Sequence, residues 1–344
     1  MALKSSGEIS PASGSRVLVT GATGYTGMVL VKKLLDSGCQ VRVIARRSSD
    51  AGVLSSMDIT WFRGEISDEH LIAEAVDGVE YIFHVAAAFR EAKNTRETYW
   101  NVHVRSTMLL AQEAVKQEHF KRFVHVSTIG VHGHIESPPA DESYPFDPDD
   151  DYQRTKAEAE RWLVQFGSEQ NLPYTIIRPC AIYGPGEKRL LKIFKMASKK
   201  LFLILGSGKC WYHLVHVEDL TSAILQAAVK SEALSEVFII GSSEPITLER
   251  LAHKIANSYG LELRIIRLPI RPFFLLGDLC EKVCRPFGIE PPIYRRRVAF
   301  YSKDRFFSVN KMKNVLGYQP KYENDIGIPE LAKWYKEQGW LDFT

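Results

Sequence analysis

The run Arg16 to Gly27, RVLVTGATGYTG, constrains this chain more than any other stretch. Val17-Leu18-Val19 is a short apolar run, the pattern of a strand buried on both faces. Gly21, Gly24 and Gly27 follow at i, i+3 and i+6, and an amphipathic run from Met28 to Leu35 comes next. Strand, glycine turn and helix in that order open a dinucleotide-binding βαβ unit. The first glycine permits the tight turn, and the second lets backbone N–H groups approach a pyrophosphate. The third lets the helix pack close to the strand, so that phosphates sit at the positive end of its dipole. The cofactor cradle is therefore expected at Gly21, Thr23, Gly24, Tyr25, Thr26 and Gly27. The spacing is GxxGxxG rather than GxGxxG, and glycine turns also occur for purely structural reasons, so a second motif is needed.

That motif is Tyr152-Gln-Arg-Thr-Lys156, roughly 130 residues further on. At i and i+4 on a helix, Tyr152 and Lys156 project from one face. A free tyrosine, with a pKa of about 10, is too weakly acidic to serve as a base at neutral pH. A neighbouring ammonium favours the phenolate, at about 1.4 kcal/mol per pKa unit. Such a pair can trade a proton with a carbinol or carbonyl oxygen while a nicotinamide trades a hydride.

Together the two motifs resemble the short-chain dehydrogenase/reductase superfamily, specifically its extended branch. That branch contains sugar-nucleotide epimerases, dihydroflavonol reductases and 3β-hydroxysteroid dehydrogenases. The resemblance runs from about residue 14 to the C-terminus. It implies an α/β fold, a Rossmann-type doubly wound parallel sheet with a smaller, discontinuous C-terminal substrate-binding lobe. The expected division is a flexible N-terminus (1–14), a Rossmann domain (15–180 with 211–241) and a lobe (181–210 with 242–344). The resemblance also implies Tyr152 as acid/base, Lys156 as the group that lowers its pKa and holds the ribose, and a hydroxyl that orients the substrate oxygen. The family places that hydroxyl four residues before the aromatic of a V-Y-G motif. Here the motif reads Val131-His132-Gly133, so Thr128 is the match and Ser127 its neighbour at the substrate. His132 departs from the family tyrosine. Ile129-Gly130 replaces the Asp-Glu of the dehydratases, which argues against sugar dehydration.

Strand and helix alternate along the chain, as a doubly wound sheet requires. Strands are expected at Cys39–Ala45, from Trp61, at Val79–Val85, Arg122–Val126 and Tyr174–Arg178. Helices are expected at Asp68–Val76 with Asp68 near the N-cap, at Glu97–Gln117 and at Tyr152–Phe166. The ends of the strands collect the remaining cofactor candidates. Relatives that prefer NAD carry an acidic residue after the second strand. This chain has Ala45-Arg46-Arg47, with no carboxylate to repel a 2′-phosphate and with Arg46 as a bidentate partner for it. NADP(H) is favoured and NAD(H) is possible. Glu65 and Ile66 are expected near the adenine, while Val85, Ala86 and Ala87 let the backbone approach the cofactor. Asn101 matches the family's helix Asn, and Ser127 and Pro179 complete the set.

Two features of the segment Arg178-Pro-Cys-Ala-Ile-Tyr-Gly-Pro185 and of Gly206–Asp219 bear on the substrate. Sugar-nucleotide epimerases hold the diphosphate with an Asn and an Arg, where this chain has Ala181 and Tyr212. Losing two charge-assisted contacts of about 1.5–3 kcal/mol each weakens a diphosphate site severely. Ala181 and Tyr212 are thus candidate substrate contacts for a more apolar alcohol or ketone. Lys188, Arg189 and Lys209 keep alive the alternative of a nucleotide-sugar epimerase with tightly bound NAD. A non-catalytic NADP-binding redox sensor is the third reading, but it has no need of the Tyr, Lys and Thr.

Composition excludes other classes. The 344 residues are 45% hydrophobic and 25% charged with a formal net charge of +3, too small to argue for nucleic acid. Five cysteines without framework spacing suggest a reducing compartment. The N-terminus has no apolar h-region and no stretch reaches the ~18 apolar residues of a membrane span. A soluble, cytoplasmic homodimer acting on a small molecule is expected. His84, His125 and His134 lack metal-ligand spacing, so no metal is expected. Residues 264–305 carry ten Lys/Arg against four Asp/Glu, with Phe273, Phe274, Phe287 and Tyr294 interspersed. A solvated lobe surface accounts for this, the sharper readings being a site for an anionic or amphipathic substrate or contact with a membrane surface. Membrane contact is not the expectation.

Overall fold

The computed structural model describes residues 9–88, 94–199, 201–284, 291–293, 295, 298 and 301–341. Phe287 and Tyr294 lie outside the described residues. The first strand, β1 (Arg16–Thr20), is followed by α1 (Tyr25–Asp36), β2 (Gln40–Ala45), β3 (Ile59–Arg63), α2 (Glu69–Val76) and β4 (Tyr81–His84). Then come α3 (Arg96–Trp100), a π-helical turn (Asn101–Arg105), α4 (Ser106–Ala114), β5 (Arg122–Val126), α5 (Asp151–Gln170) and β6 (Tyr174–Pro179). The chain continues through β7 (Ala181–Tyr183), α6 (Leu191–Ala197), β8 (Leu201–Leu205), β9 (Trp211–Tyr212), β10 (Leu214–His216), α7 (Val217–Val229) and β11 (Glu236–Ile240). After these lie β12 (Ile246–Thr247), α8 (Leu248–Ser258), β13 (Arg264–Leu268) and α9 (Arg271–Cys284).

Seven strands form one sheet in the order β11-β6-β5-β4-β1-β2-β3, every pairing parallel. Helices cover both faces, so this is a Rossmann-type doubly wound sheet. Val17, Leu18 and Val19 are fully buried in its centre, each stabilising the fold by about 1.5–3 kcal/mol relative to exposure. The pleat turns Val17 and Val19 to one core, with Leu30 and Ala223, and Leu18 to the other, with Ile72, Leu110 and Leu163. Because all seven strands run the same way, their carboxyl ends meet along one edge, where ligands of such sheets bind.

Three expectations are corrected. Of residues 1–14, expected to be flexible, 1–8 lie outside the described residues, but Pro11 is buried and Gly14 N–H donates to the Gly38 carbonyl at 2.9 Å. The helix expected over Glu97–Gln117 is interrupted by a π turn at Asn101–Arg105. The Ser106 and Thr107 hydroxyls donate back to the Val102 and His103 carbonyls, both at 2.6 Å, a bonding pattern that loosens a helical ladder. Finally, part of the expected lobe returns to the main domain. Phe307, Val309, Met312, Leu316 and Tyr318 pack into the core of the sheet, and Ala140 bridges to Phe307. The lobe keeps its own core, in which Tyr183, Phe194, Phe202, Leu251 and Tyr335 are buried. Among the described residues no helix is long and apolar enough to cross a membrane.

Candidate active site

The glycine turn is shaped as the motif predicts. Gly21 has φ +73°, and a Cβ there meets Ala86 N and Cα at 2.7 Å. A Cβ at Gly27 collides with the Gly21 carbonyl and lies 2.8 Å from Ala22 Cα, so α1 sits directly on the turn. Its N-cap, Gly24, offers no side chain, and the first bond of the helix runs from Met28 N to Gly24 O at 2.9 Å. The N–H groups of Tyr25, Thr26 and Gly27 therefore have no helical acceptor and no acidic residue in the first turn. These are the donors a pyrophosphate takes up. The Tyr25 phenol oxygen is buried, and a Cβ on Gly184 lies 2.8 Å from it.

The turn is tied to β4 by a chain of hydrogen bonds. Ala86 N–H donates to Thr20 Oγ1 (3.3 Å), which donates to His84 Nδ1 (2.7 Å). His84 Nε2–H in turn donates to Ser106 Oγ (3.1 Å). Burial holds this imidazole down to a pKa of about 3, so it is a fixed neutral linker. Both its nitrogens are engaged, and among the described residues no His, Cys, Asp or Glu group is placed to hold a metal ion.

Arg46 and Arg47 follow β2 and are exposed. Arg63 stacks on Trp61 at 4.0 Å and donates to the backbone carbonyls of Arg46 (3.4 Å) and Ser49 (3.2 Å). The loop is held by its backbone, and the side chains of Arg46 and Arg47 are in no ion pair among the described residues. Glu65 is exposed just beyond β3, Ile66 packs on the core, and Val85, Ala86 and Ala87 follow β4.

Tyr152, Lys156 and Glu160 lie at i, i+4 and i+8, on one face of α5, which Asp150 caps through Gln153 N–H at 2.8 Å. Lys156 is 1% exposed and donates to the Val126 carbonyl at 2.9 Å. Desolvation lowers its pKa to about 8, with Glu160 opposing the shift. Glu160 accepts from Ser127 Oγ and from Arg178 at 2.9 and 2.7 Å. Ser127 thus gives its one hydroxyl proton to Glu160. Thr128 instead accepts from Gly130 N–H at 3.0 Å, which leaves its own proton for a substrate oxygen. Between the two hydroxyls, the geometry favours Thr128 as the donor.

Several contacts of the site are not legible in the sequence. His103 is buried and edge-on to Tyr152, with ring centroids 5.1 Å apart. Its Nε2 accepts from Ala88 N–H (3.1 Å) and its Nδ1–H donates to Thr155 Oγ1 (2.8 Å). It joins the loop after β4 to the helix carrying Tyr152. Asn101, the residue matched to the family, takes part in none of the hydrogen bonds that build this site among the described residues; the π turn brings His103 inward. Glu160 and Arg178 form a buried ion pair, and Arg178 also donates to His132 Nε2 at 3.1 Å. The i+8 spacing from Tyr152 was the available signal for Glu160. Replacing Glu160 by alanine leaves Arg178 charged and uncompensated, and the expected loss is about 3–5 kcal/mol of stability. A urea midpoint unchanged in Glu160→Ala contradicts this.

Of the substrate candidates, Ala181 is exposed at the start of β7, just beyond the end of β6. Tyr212 is corrected: it is 4% exposed and belongs to the core of the lobe, where Cys210 Sγ lies 3.6 Å from its hydroxyl. The period of a two-residue strand does not say which face is buried.

A phosphate-binding glycine turn, a Tyr-Lys pair and a threonine hydroxyl on one edge of a doubly wound sheet define a dinucleotide-dependent enzyme. Residues 17–241 match the NAD dependent epimerase/dehydratase family, and the chain belongs to it. It is 26% identical over 344 residues to 3beta-hydroxysteroid-dehydrogenase/decarboxylase isoform 1 of Arabidopsis thaliana, covering 90% of this chain and 77% of that protein. It is 27% identical over 338 residues to 3-beta-hydroxysteroid dehydrogenase of Mycolicibacterium neoaurum, covering 94% of this chain and 92% of the relative. The fold matches that of UDP-glucose 4-epimerase from Thermotoga maritima with a TM-score of 0.74 and 24% identity, over 94% of this chain and 99% of that one.

Proposed function

We propose that this protein is an NADP(H)-preferring oxidoreductase that interconverts a secondary alcohol and a ketone on a largely apolar, sterol-, flavonoid- or alkanoate-like molecule. The observation that carries the reading is the buried Lys156, one helical turn from Tyr152 and bonded to the Val126 carbonyl, two residues before Thr128. Thr128 orients the substrate oxygen, and Tyr152 gives it a proton in reduction or takes one in oxidation. Lys156 stabilises the phenolate and reaches for the ribose. The N–H groups of Tyr25, Thr26 and Gly27 hold the pyrophosphate, and Arg46 holds the 2′-phosphate. When bound, the nicotinamide supplies or accepts the hydride.

The apolar substrate is supported by the engagement of two of the three cations available to a diphosphate, Lys209 alone being exposed and in no ion pair among the described residues. Arg189 is paired with Glu187, and Lys188 lies over the Trp340 ring at 5.1 Å. Relatives whose names carry 3β-hydroxysteroid activity point the same way. A homodimer is proposed through the outer face of α4 and α5, where Leu109, Val115 and Phe166 line a surface groove; the cytoplasm is the proposed compartment.

The test is a fluorescence titration of the purified protein with NADPH and NADH after a check for co-purified nucleotide. NADPH is expected to bind more tightly. Arg46→Ala is expected to lose about 10–100-fold in NADPH affinity, the worth of one charge-assisted contact, with NADH unchanged. Turnover is then compared between a secondary sterol alcohol with NADP+ and the epimerisation of UDP-glucose. Tightly retained NAD and UDP-glucose turnover overturn the proposal.

A further inference from the structure

Away from the catalytic edge, the helix α9 buries only Gly277. Leu275, Leu279, Val283 and Leu276 are 72, 59, 56 and 42% exposed. With 3.6 residues per turn, these four and Pro272 share an arc of about 100° that points away from Gly277. Arg271 and Lys282 stand along one side of that arc, both exposed and in no ion pair among the described residues. Of the helix's two carboxylates, Asp278 is in an ion pair and Glu281 accepts a backbone N–H. Arg295 donates to Asp278 at 2.7 Å through its guanidinium and to Glu281 at 2.8 Å through its backbone N–H.

The strand pair that leads into the helix has the same character. β8 runs parallel to β13, with Leu203 opposite Ile266 and Leu201 opposite Arg264. Phe202 and Ile204 fill the core of the lobe, while Leu201, Leu203 and Ile266 are 44, 44 and 37% exposed. A strand facing water ordinarily alternates apolar with polar residues, and here the outward positions of β8 are leucine. Single exposed leucines are unremarkable, but a helical arc of them edged by unpaired cations is the pattern of a helix lying in a bilayer interface.

We propose that α9 docks this lobe on an anionic bilayer surface, with Leu275, Leu276, Leu279 and Val283 inserted among the acyl chains. Arg264, Arg271 and Lys282 then face the lipid phosphates. Charge decides for this occupant: Arg264, Arg271 and Lys282 are exposed and in no ion pair among the described residues, while Asp278 is paired with the Arg295 guanidinium. The inference goes beyond the proposed chemistry and does not depend on it. It takes up the membrane-surface reading of residues 264–305, which the sequence alone did not favour.

The experiment is co-sedimentation of the full chain with vesicles of pure phosphatidylcholine or of phosphatidylcholine containing phosphatidylserine, at low and high salt. Binding is expected to the anionic vesicles, weakened by salt and at least about tenfold weaker to neutral ones. The double variant Leu275→Glu, Leu279→Glu is expected to lose at least about tenfold in vesicle binding, with its NADPH affinity and thermal midpoint kept. Arg271→Ser with Lys282→Ser, which leaves the apolar arc intact, is expected to lose about fivefold per charge removed. Absence of wild-type binding, or equal binding by wild type and variants, overturns the proposal. So does a wild-type dimer that becomes monomeric in the leucine variant without any vesicle binding, since the face then joins two copies of this chain.

Discussion

Replacing Tyr152 by phenylalanine is expected to lower turnover by about 10²–10⁴-fold, the range that one positioned acid/base supplies. The change removes a single oxygen. The ring keeps its edge-on packing against His103 (5.1 Å) and Tyr99 (6.2 Å), so the helix carrying it stays in place. Lys156 remains anchored on the Val126 carbonyl, and the pyrophosphate cradle is backbone. Affinity for NADPH is therefore expected to change little while kcat collapses. That split separates loss of chemistry from loss of structure. A variant that keeps turnover within about tenfold of wild type sinks the assignment of Tyr152 as acid/base. A protein that senses the cofactor without chemistry keeps its output in this variant, so the same measurement discards or revives that reading.

The second large effect is a loss of stability in mild acid. Burial lowers the pKa of His84 to about 3, of His132, His213 and His216 to about 4, and of His125 well below the ordinary value. In the unfolded chain each of these five titrates near 6.5. As pH falls below about 6.5, the unfolded state takes up protons that the folded state refuses, and stability falls with pH. Each such histidine contributes about 1.4 kcal/mol per pH unit once its unfolded form is protonated and until its folded pKa is reached. Together they amount to several kcal/mol per unit, against a total stability on the order of 5–15 kcal/mol. Cooperative unfolding is therefore expected between pH of about 6 and 4.5, with steep proton uptake. The sign at the other end is the same: Lys156, held at about 8 by burial, adds stability as pH rises from there toward its unfolded value. Urea midpoints measured from pH 7 down to pH 5 check this. A midpoint that does not fall across that range contradicts it.

Much of the scaffold is legible in the chain because its signals are local. β1, the glycine turn and α1 occupy adjacent residues, and steric demands act over three or four positions. A Cβ at Gly27 meets the backbone of Gly21 and Ala22 wherever the rest of the chain lies, whereas the one at Gly21 meets Ala86 and is forbidden by the tertiary structure. The alternation of strand and helix, and with it the parallel sheet, follows from periodicity and from the handedness of crossovers. Tyr152 and Lys156 share a helix face for the same reason.

What only the tertiary structure decided depends on residues far apart in sequence. Arg178 reads as part of a substrate segment until Glu160 and His132 are seen around it. His103 reads as a helix residue until the π turn rotates it between Ala88 and Thr155. Phe307 to Tyr318 read as lobe, yet they cover the core of the sheet. Tyr212 reads as a substrate contact and is a core residue. Local sequence determined which segments form and which edge of the sheet carries the chemistry, because hydrogen bonding and sterics within a turn set both. Which buried polar group meets which partner, and which apolar face stays uncovered, was decided by packing, whose contacts link residues that no sequence period connects.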